Sequence, residues 1–289
     1  MPNLKYKLMR KIGFLALAAM VLTACSSESE ELRVKNEEVD ATTVTLTFSP
    51  YEMSVMTRAA MSIADFCTHL DVWVTDGITT TATAHQSSTD ADFGEVSLTL
   101  DKTKTYTIYA VAHKCTADAT LSDGIISFPD DKVTHSLYYT TTFTPTKDMV
   151  LSCLMSRIVA QFQLATTDAV PSDVKKLRFT LGSVFNRWSV TAGATNQLDR
   201  EVMVNITSTH DDGTITCSVY GIVTDAQTAH TITIEALSNE DSVLQTRVFE
   251  GVPLRNGYRT AYRGSFFIDA PMSITFTCED WNEFDVVEF

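Results

Sequence analysis

The chain predicts an all-β body of two tandem β-sandwich domains with few short helices, on three observations. Apolar residues recur at every second position from residue 42 onward. Turn residues break those runs at short intervals. No segment carries a long helical stripe. Period-two runs rich in β-branched residues make strands with one buried and one wet face. Many such short strands build sandwiches rather than a parallel α/β sheet.

The runs come in order. Val44, Leu46 and Phe48 alternate first, then Val96, Leu98 and Leu100, and next Ile108, Ala110 and Ala112. Ile158, Ala160, Phe162 and Leu164 share one face of a strand expected over 156–164. Val202, Val204 and Ile206 repeat the pattern, as do Ile232, Ile234 and Ala236. Threonine and serine fill many of the alternate positions, as suits a half-exposed pleated surface. Turns are expected at Asp76-Gly77, Ser122-Asp123-Gly124, Asp211-Asp212-Gly213 and Arg255-Asn256-Gly257. Residues 59–70 read as a short helix carrying Ile63, Phe66 and Leu70 on one face. About 250 residues suit two domains. The loop Thr144-Pro145-Thr146-Lys147-Asp148 sets their limits at 42–149 and 150–289.

What precedes the body is not part of its fold. Lys5, Lys7, Arg10 and Lys11 lead an uncharged run, Ile12 to Leu22, and Leu22-Thr23-Ala24-Cys25 follows. A basic head, a short apolar stretch and small residues before a cut mark a secretory signal, here 1–24. The run falls well short of the roughly 20 apolar residues of a spanning helix. Cysteine directly after Leu-Thr-Ala is the lipobox pattern, so Cys25 is expected to carry lipid and hold the chain to a membrane. Residues 25–41, with Glu28, Glu30, Glu31, Glu37 and Glu38, read as an acidic flexible tether. Without residues 1–24 the chain keeps 18 of its 22 basic residues against 36 acidic ones, a net charge of −18. Such acidity argues against nucleic acid and anionic membrane surfaces as partners.

Local signatures of catalysis and metal binding are absent from the sequence. The histidines at 69, 85, 113, 135, 210 and 230 are scattered, and none falls in a metal-ligand spacing. No nucleophile elbow, phosphate loop or dinucleotide fingerprint occurs. Asp90-Ala91-Asp92, Asp130-Asp131 and Asp211-Asp212-Gly213 read as polar turns, with too few oxygen ligands nearby for calcium. The expectation is therefore a binding or assembly protein without cofactor, metal or enzymatic activity. Cys217 and Cys278 lie on the apolar faces of their strands and read as buried thiols, while Cys67, Cys115 and Cys153 leave room for one disulfide. Among the aromatic residues, Trp73 reads as core. Trp188, after Asn186-Arg187 near a turn, is the candidate for stacking on a sugar.

Several segments follow one another in a recognisable order. The lipobox comes first. The strand Val44-Thr45-Leu46-Thr47-Phe48 is followed by Met56-Thr57-Arg58-Ala59. Next come Thr105-Tyr106-Thr107-Ile108-Tyr109-Ala110-Val111-Ala112 and Ser156-Arg157-Ile158-Val159-Ala160. Val252-Pro253-Leu254-Arg255-Asn256-Gly257-Tyr258-Arg259-Thr260 then runs into Tyr262-Arg263-Gly264, and Trp281 lies near the close. Together these segments resemble the fimbrillin-like (Mfa-like) lipoproteins of Bacteroidetes, and the resemblance covers the whole chain. It implies transthyretin-like sandwiches and a stalk, tip or anchor subunit of a fimbrium that functions in adhesion. The acidic tether similarly resembles a surface-export signal of such lipoproteins. Partners would be other fimbrial subunits or copies of the chain, the outer membrane through acylated Cys25, and a host protein or glycan. In stalk and tip members a protease cuts after an arginine near the mature N-terminus, the first strand leaves, and a neighbour's C-terminal strand replaces it. Here the cut would fall between Arg58 and Ala59, the displaced strand would carry Val44, Leu46 and Phe48, and Val286, Val287 and Phe289 would belong to the donor. The strand Ile274 to Cys278 is a second donor candidate. In anchor members the lipid and the first strand stay, and Arg58 is a loop residue. A surface glycan-binding lipoprotein using Trp188 is the alternative.

Overall fold

The computed structural model describes residues 40–50, 62–77, 79–268 and 276–280. Cys25, Arg58, Ala59, Trp281, Val286, Val287 and Phe289 lie outside them. The described residues form seventeen strands and two 3-10 turns. In chain order the strands are β1 Ala41–Pro50, β2 His69–Thr75, β3 Thr80–Ser87, β4 Glu95–Asp101, β5 Tyr106–His113, β6 Thr120–Ser122 and β7 Ile125–Ser127. There follow β8 Ser136–Phe143, β9 Met149–Arg157, β10 Ala160–Thr166, β11 Lys176–Ser189 and β12 Gly193–Asn205. The last are β13 Thr216–Gly221, β14 Thr228–Leu237, β15 Val243–Leu254, β16 Tyr258–Gly264 and β17 Phe276–Asp280. The fold is all-β and multi-sheet. Among the described residues no helix is long and apolar enough to cross a membrane.

Seven strands form one sheet in the order β3-β2-β5-β8-β9-β1-β4. β9 changes partner along its length. Val44 to Pro50 of β1 pair with its Met149 to Met155, and Tyr138 and Leu137 of β8 with its Ser156 and Arg157. That switch bends the sheet around a single hydrophobic cluster. Val44, Leu46 and Phe48 of β1 meet Leu70, Val72 and Val74 of β2, Ile108 and Ala110 of β5, and Cys153 and Met155 of β9 there. β9 therefore pairs with strands that precede it.

The later strands make a four-stranded sheet, β13-β10-β16-β17, and a six-stranded path, β15-β14-β11-β7-β6, with β12 also paired to β11. Phe162 and Leu164 of β10, Phe179 and Leu181 of β11, Ile232 and Ile234 of β14 and Phe249 of β15 share a second cluster. A third cluster joins early and late strands. Trp73, Val111, Phe128 and Ile126 pack there with Ile158, Val159 and Ile222. β7 pairs with the end of β11, so a sheet made mostly of late strands contains two early ones.

Local departures have local causes. The strand expected over 156–164 is interrupted at Ile158-Val159, both of them buried. Ile158 N–H donates to Ser136 O and Val159 O accepts from Gly257, bonds that turn the chain out of one sheet and into the next. The expected helix over 59–70 is, in its described part, one 3-10 turn, Ile63–Asp65, closed by a capping box between Ser62 and Asp65, and Leu70 belongs to β2. Propensity for a helix loses here to pairing with β3 and β5. The turn glycines do what their positions require: Gly77, Gly124, Gly213 and Gly257 all have positive φ.

Candidate functional site

β1 is the first described strand and it lies inside a sheet. It pairs antiparallel with β4, Leu46 opposite Val96, and parallel with β9, Leu46 opposite Leu151. Val44 and Leu46 are fully buried and Phe48 is 6% exposed. The Phe48 ring meets Tyr139 edge-on at 6.4 Å. The opposite face is hydroxyl-rich: Thr45 Oγ1 contacts Ser97 Oγ at 3.2 Å. The start of the strand is held by Asp148, whose Oδ1 accepts from Thr42 Oγ1 at 2.7 Å and Thr43 N at 2.9 Å. Those bonds, the Thr42 hydroxyl first, hold the Asp148 carboxyl below the usual carboxylate range. Loss of β1 would leave two unpaired margins, on β4 and β9, either side of an apolar groove.

A second arrangement has no local sequence signature. The sequence reading took the histidines as scattered, but His85, Asp71 and His113 lie on adjacent strands β3, β2 and β5. Asp71 is fully buried in the middle of β2. Its Oδ1 meets His85 Nδ1 at 2.6 Å. Its Oδ2 accepts from His113 Nε2 at 2.8 Å and from Ala119 N at 2.9 Å. His69 stacks on His113 at 5.4 Å between ring centroids. Burial alone would depress the basicity of His113. Hydrogen bonds to Asp71 and Cys115 reverse that and push it up to about 9. The Cys115 N–H points at Nδ1 of the same ring at 3.2 Å, a contact that needs Nδ1 bare. Whether or not Nδ1 carries a proton, Nε2 is the donor to Asp71. Asp118 completes the group, its Oδ2 4.0 Å from His85 Nδ1.

The site forms because residues 114–133 fold over the outer face of the first sheet. They place Cys115, Ala119, Ile126, Phe128 and Val133 against Trp73 and Val111. β2 is consequently buried on both faces, from Leu70 to Val74, with His69 and Thr75 half-buried at its ends. The one available signal was His69-Leu70-Asp71, two ionisable residues on the face of the strand that also carries Trp73.

The remaining candidates are placed as follows. Trp73 is core, 4% exposed. Trp188 is half-buried in the third cluster, 5.5 Å from Tyr138 between ring centroids, with Gly193 against its six-membered ring. Cys67, Cys115 and Cys153 are buried and none is in a disulfide. Burial pushes the Cys217 thiol up to about 12. Cys217 lines a cleft of about 260 Å³ with Leu177, Val204, Ile206, His210 and Ile215, and no carboxylate enters its lining. The expected polar turns bind their own backbone: Asp90 Oδ2 accepts from Ser87 N at 2.7 Å, and Asp212 Oδ1 from Thr214 N at 3.0 Å.

No family model matches this sequence, and no curated protein does. Among solved structures, a candidate adhesin from Bacteroides ovatus is similar over 84% of this chain and 97% of that one, at 13% identity and a TM-score of 0.50. The fimbrial anchor protein Mfa2 from Porphyromonas gingivalis is similar over 83% and 98%, at 11% identity and a TM-score of 0.48. Candidate polysaccharide-binding proteins from Bacteroides thetaiotaomicron are similar over 84% and 99%, at 9% identity and a TM-score of 0.49. At 13% identity the first of these is a likeness of fold.

Proposed function

We propose that this chain is a fimbrillin-like lipoprotein of the bacterial surface, exported by residues 1–24 and held at the outer membrane through acylated Cys25. Its work is protein–protein assembly by strand exchange in a fimbrium, with a role in adhesion and no chemical step. The fold shared with a candidate Bacteroides adhesin supports the reading. We take the two larger hydrophobic clusters as the cores of two transthyretin-like sandwiches, divided after β9. Partners are further fimbrial subunits or copies of the chain, and at the tip a host protein or glycan.

One observation carries the proposal: the first described strand lies between two others, is buried on one face, and connects in sequence to the strands after it through residues 51–61, which contain Arg58. Cleavage after Arg58 would release Val44, Leu46 and Phe48 together with the tether. Burying an aliphatic or aromatic side chain contributes about 1.5–3 kcal/mol. Three of them amount to much of the ~5–15 kcal/mol that holds a whole domain folded. The strand does not leave unless another takes its place. Backbone pairing supplies affinity and alternate side chains supply selectivity in such an exchange. Val287 and Phe289 have the required period of two. The other donor candidate overlaps β17, whose backbone is already paired with β16.

The test is N-terminal sequencing of the protein from its native cells, with detergent-resistant ladders as a second readout. A start at Ala59, and loss of ladders in Arg58→Ala, are the expected results. A blocked, lipidated Cys25 in assembled material ends the exchange reading and leaves an anchor that keeps β1. The glycan reading has Trp188 behind it, and that ring is half-buried. It predicts glycan-array binding that Trp188→Ala weakens.

A further inference from the structure

We propose that Asp71, His85 and Asp118 form a binding site for a zinc-class divalent cation at the edge of the segment that covers the first sheet. One imidazole nitrogen and two carboxylate oxygens, from three separate places in the sequence, lie within 4.8 Å of one another. That donor set suits zinc and its first-row neighbours rather than a soft, thiolate-preferring ion. Zinc takes nitrogen and oxygen ligands at about 2.0–2.2 Å, so its donors stand roughly 3.3 Å apart in a tetrahedral site. Here one pair stands at 2.6 Å and another at 4.0 Å, either side of that spacing. Small movements of two exposed side chains reach it: the His85 side chain is 39% exposed and that of Asp118 53%.

The third ligand is held still, and this distinguishes the group from a chance meeting of surface charges. Asp71 has no exposure, and one of its oxygens is saturated by His113 Nε2 and Ala119 N. The other is left to face His85. A ligating carboxylate fixed by donors on its far oxygen is the usual outer arrangement of protein metal sites, and removing such support typically lowers affinity 10- to 100-fold. Asp118 and Ala119 are neighbours, so one short segment supplies both a ligand and a supporting N–H. A carboxylate buried in a sheet is costly unless strongly paired. A cation shared with Asp118 pairs it more fully than His85 alone, and leaves at least one position to water.

The site is independent of strand exchange, and so is its test. The purified full chain, stripped with chelator, is titrated with zinc chloride by calorimetry. Thermal unfolding is followed with and without the metal. One zinc ion per chain and a raised melting temperature are expected. His85→Gln and Asp118→Asn change exposed side chains and leave the fold intact; each should weaken binding at least ~10-fold and abolish the thermal shift. His210→Gln, remote from the group, should change neither. Cobalt substituted for zinc should show no thiolate charge-transfer band. Absence of stoichiometric uptake, uptake unchanged in both variants, or a thiolate band from Cys115 would each overturn the proposal. His85 and Asp71 would then be a hydrogen-bonded pair only.

Discussion

His135 shows what one buried side chain does to the whole. It is 4% exposed, and its two ring nitrogens are engaged: Nδ1 lies 3.3 Å from Phe66 O, and Nε2 accepts from Arg157 Nε at 3.1 Å. Burial first, and the Arg157 charge second, depress its basicity to about 3. The folded chain therefore keeps the ring neutral where the unfolded chain protonates it, near 6.5. The sign follows: this contribution to stability is complete above about pH 6.5 and is lost as pH falls from there toward 3. Chemical denaturation at stepped pH should show an acid limb of up to about 1.4 kcal/mol per unit, and His135→Asn should flatten it. An unchanged limb would assign acid sensitivity to carboxylates instead. Nothing in Val133-Thr134-His135-Ser136 announces this. The environment is made by Phe66 and Arg157, far away in sequence. The Asp71 group was hidden for the same reason, since cross-strand neighbours leave no local spacing to read. Trp73 was legible because its own strand alternates.

At the scale of elements, the period of two located the strands well, and pairing was what it could not supply. β4, β5 and β14 contain the apolar runs expected of them, and β12 contains Val202 and Val204 but ends one residue before Ile206. The partnership of β1 with β9 spans about a hundred residues and rests on no local signal, so the value of β1 appeared only when both its neighbours were known. The three-residue strands β6 and β7 are too short to show a period at all. The prediction for this scale concerns β1 in the intact chain. Leu46→Ala should cost about 2–5 kcal/mol by urea denaturation, because a buried leucine leaves a cavity. Thr45→Ala, on the hydroxyl face, should cost well under 1 kcal/mol. Equal effects would mean that β1 is not a core strand. Asp168 offers a comparison at the far end of the fold. Its carboxylate accepts from the backbone N–H of Phe266, Phe267 and Ile268 at 2.7–2.8 Å. Asp168→Ala should destabilise by about 2–3 kcal/mol, as charge-assisted bonds of this kind do.

For the molecule as a whole, the third cluster and Arg200 tie early and late strands together. Arg200 is 8% exposed; its Nη2 donates to Val133 O at 2.9 Å and its Nη1 to Tyr220 O. Burial lowers its basicity to about 10, still well above neutrality, so the charge stays and both carbonyls are needed to hold it. Arg200→Met should cost about 2–4 kcal/mol. Hydrogen exchange should quicken first in residues 128–135, with the cores of β11 and β14 still protected. Uniform loss of protection would mean that the joint and the cores unfold as one. The place of β1 has a further consequence. It lies parallel to one neighbour and antiparallel to the other, so the slot is directional. An incoming segment that keeps those hydrogen bonds can thread it one way round. A row of molecules linked through that slot is head-to-tail, without a dyad between units. Its two ends are unlike, one presenting an open slot and the other an unused strand.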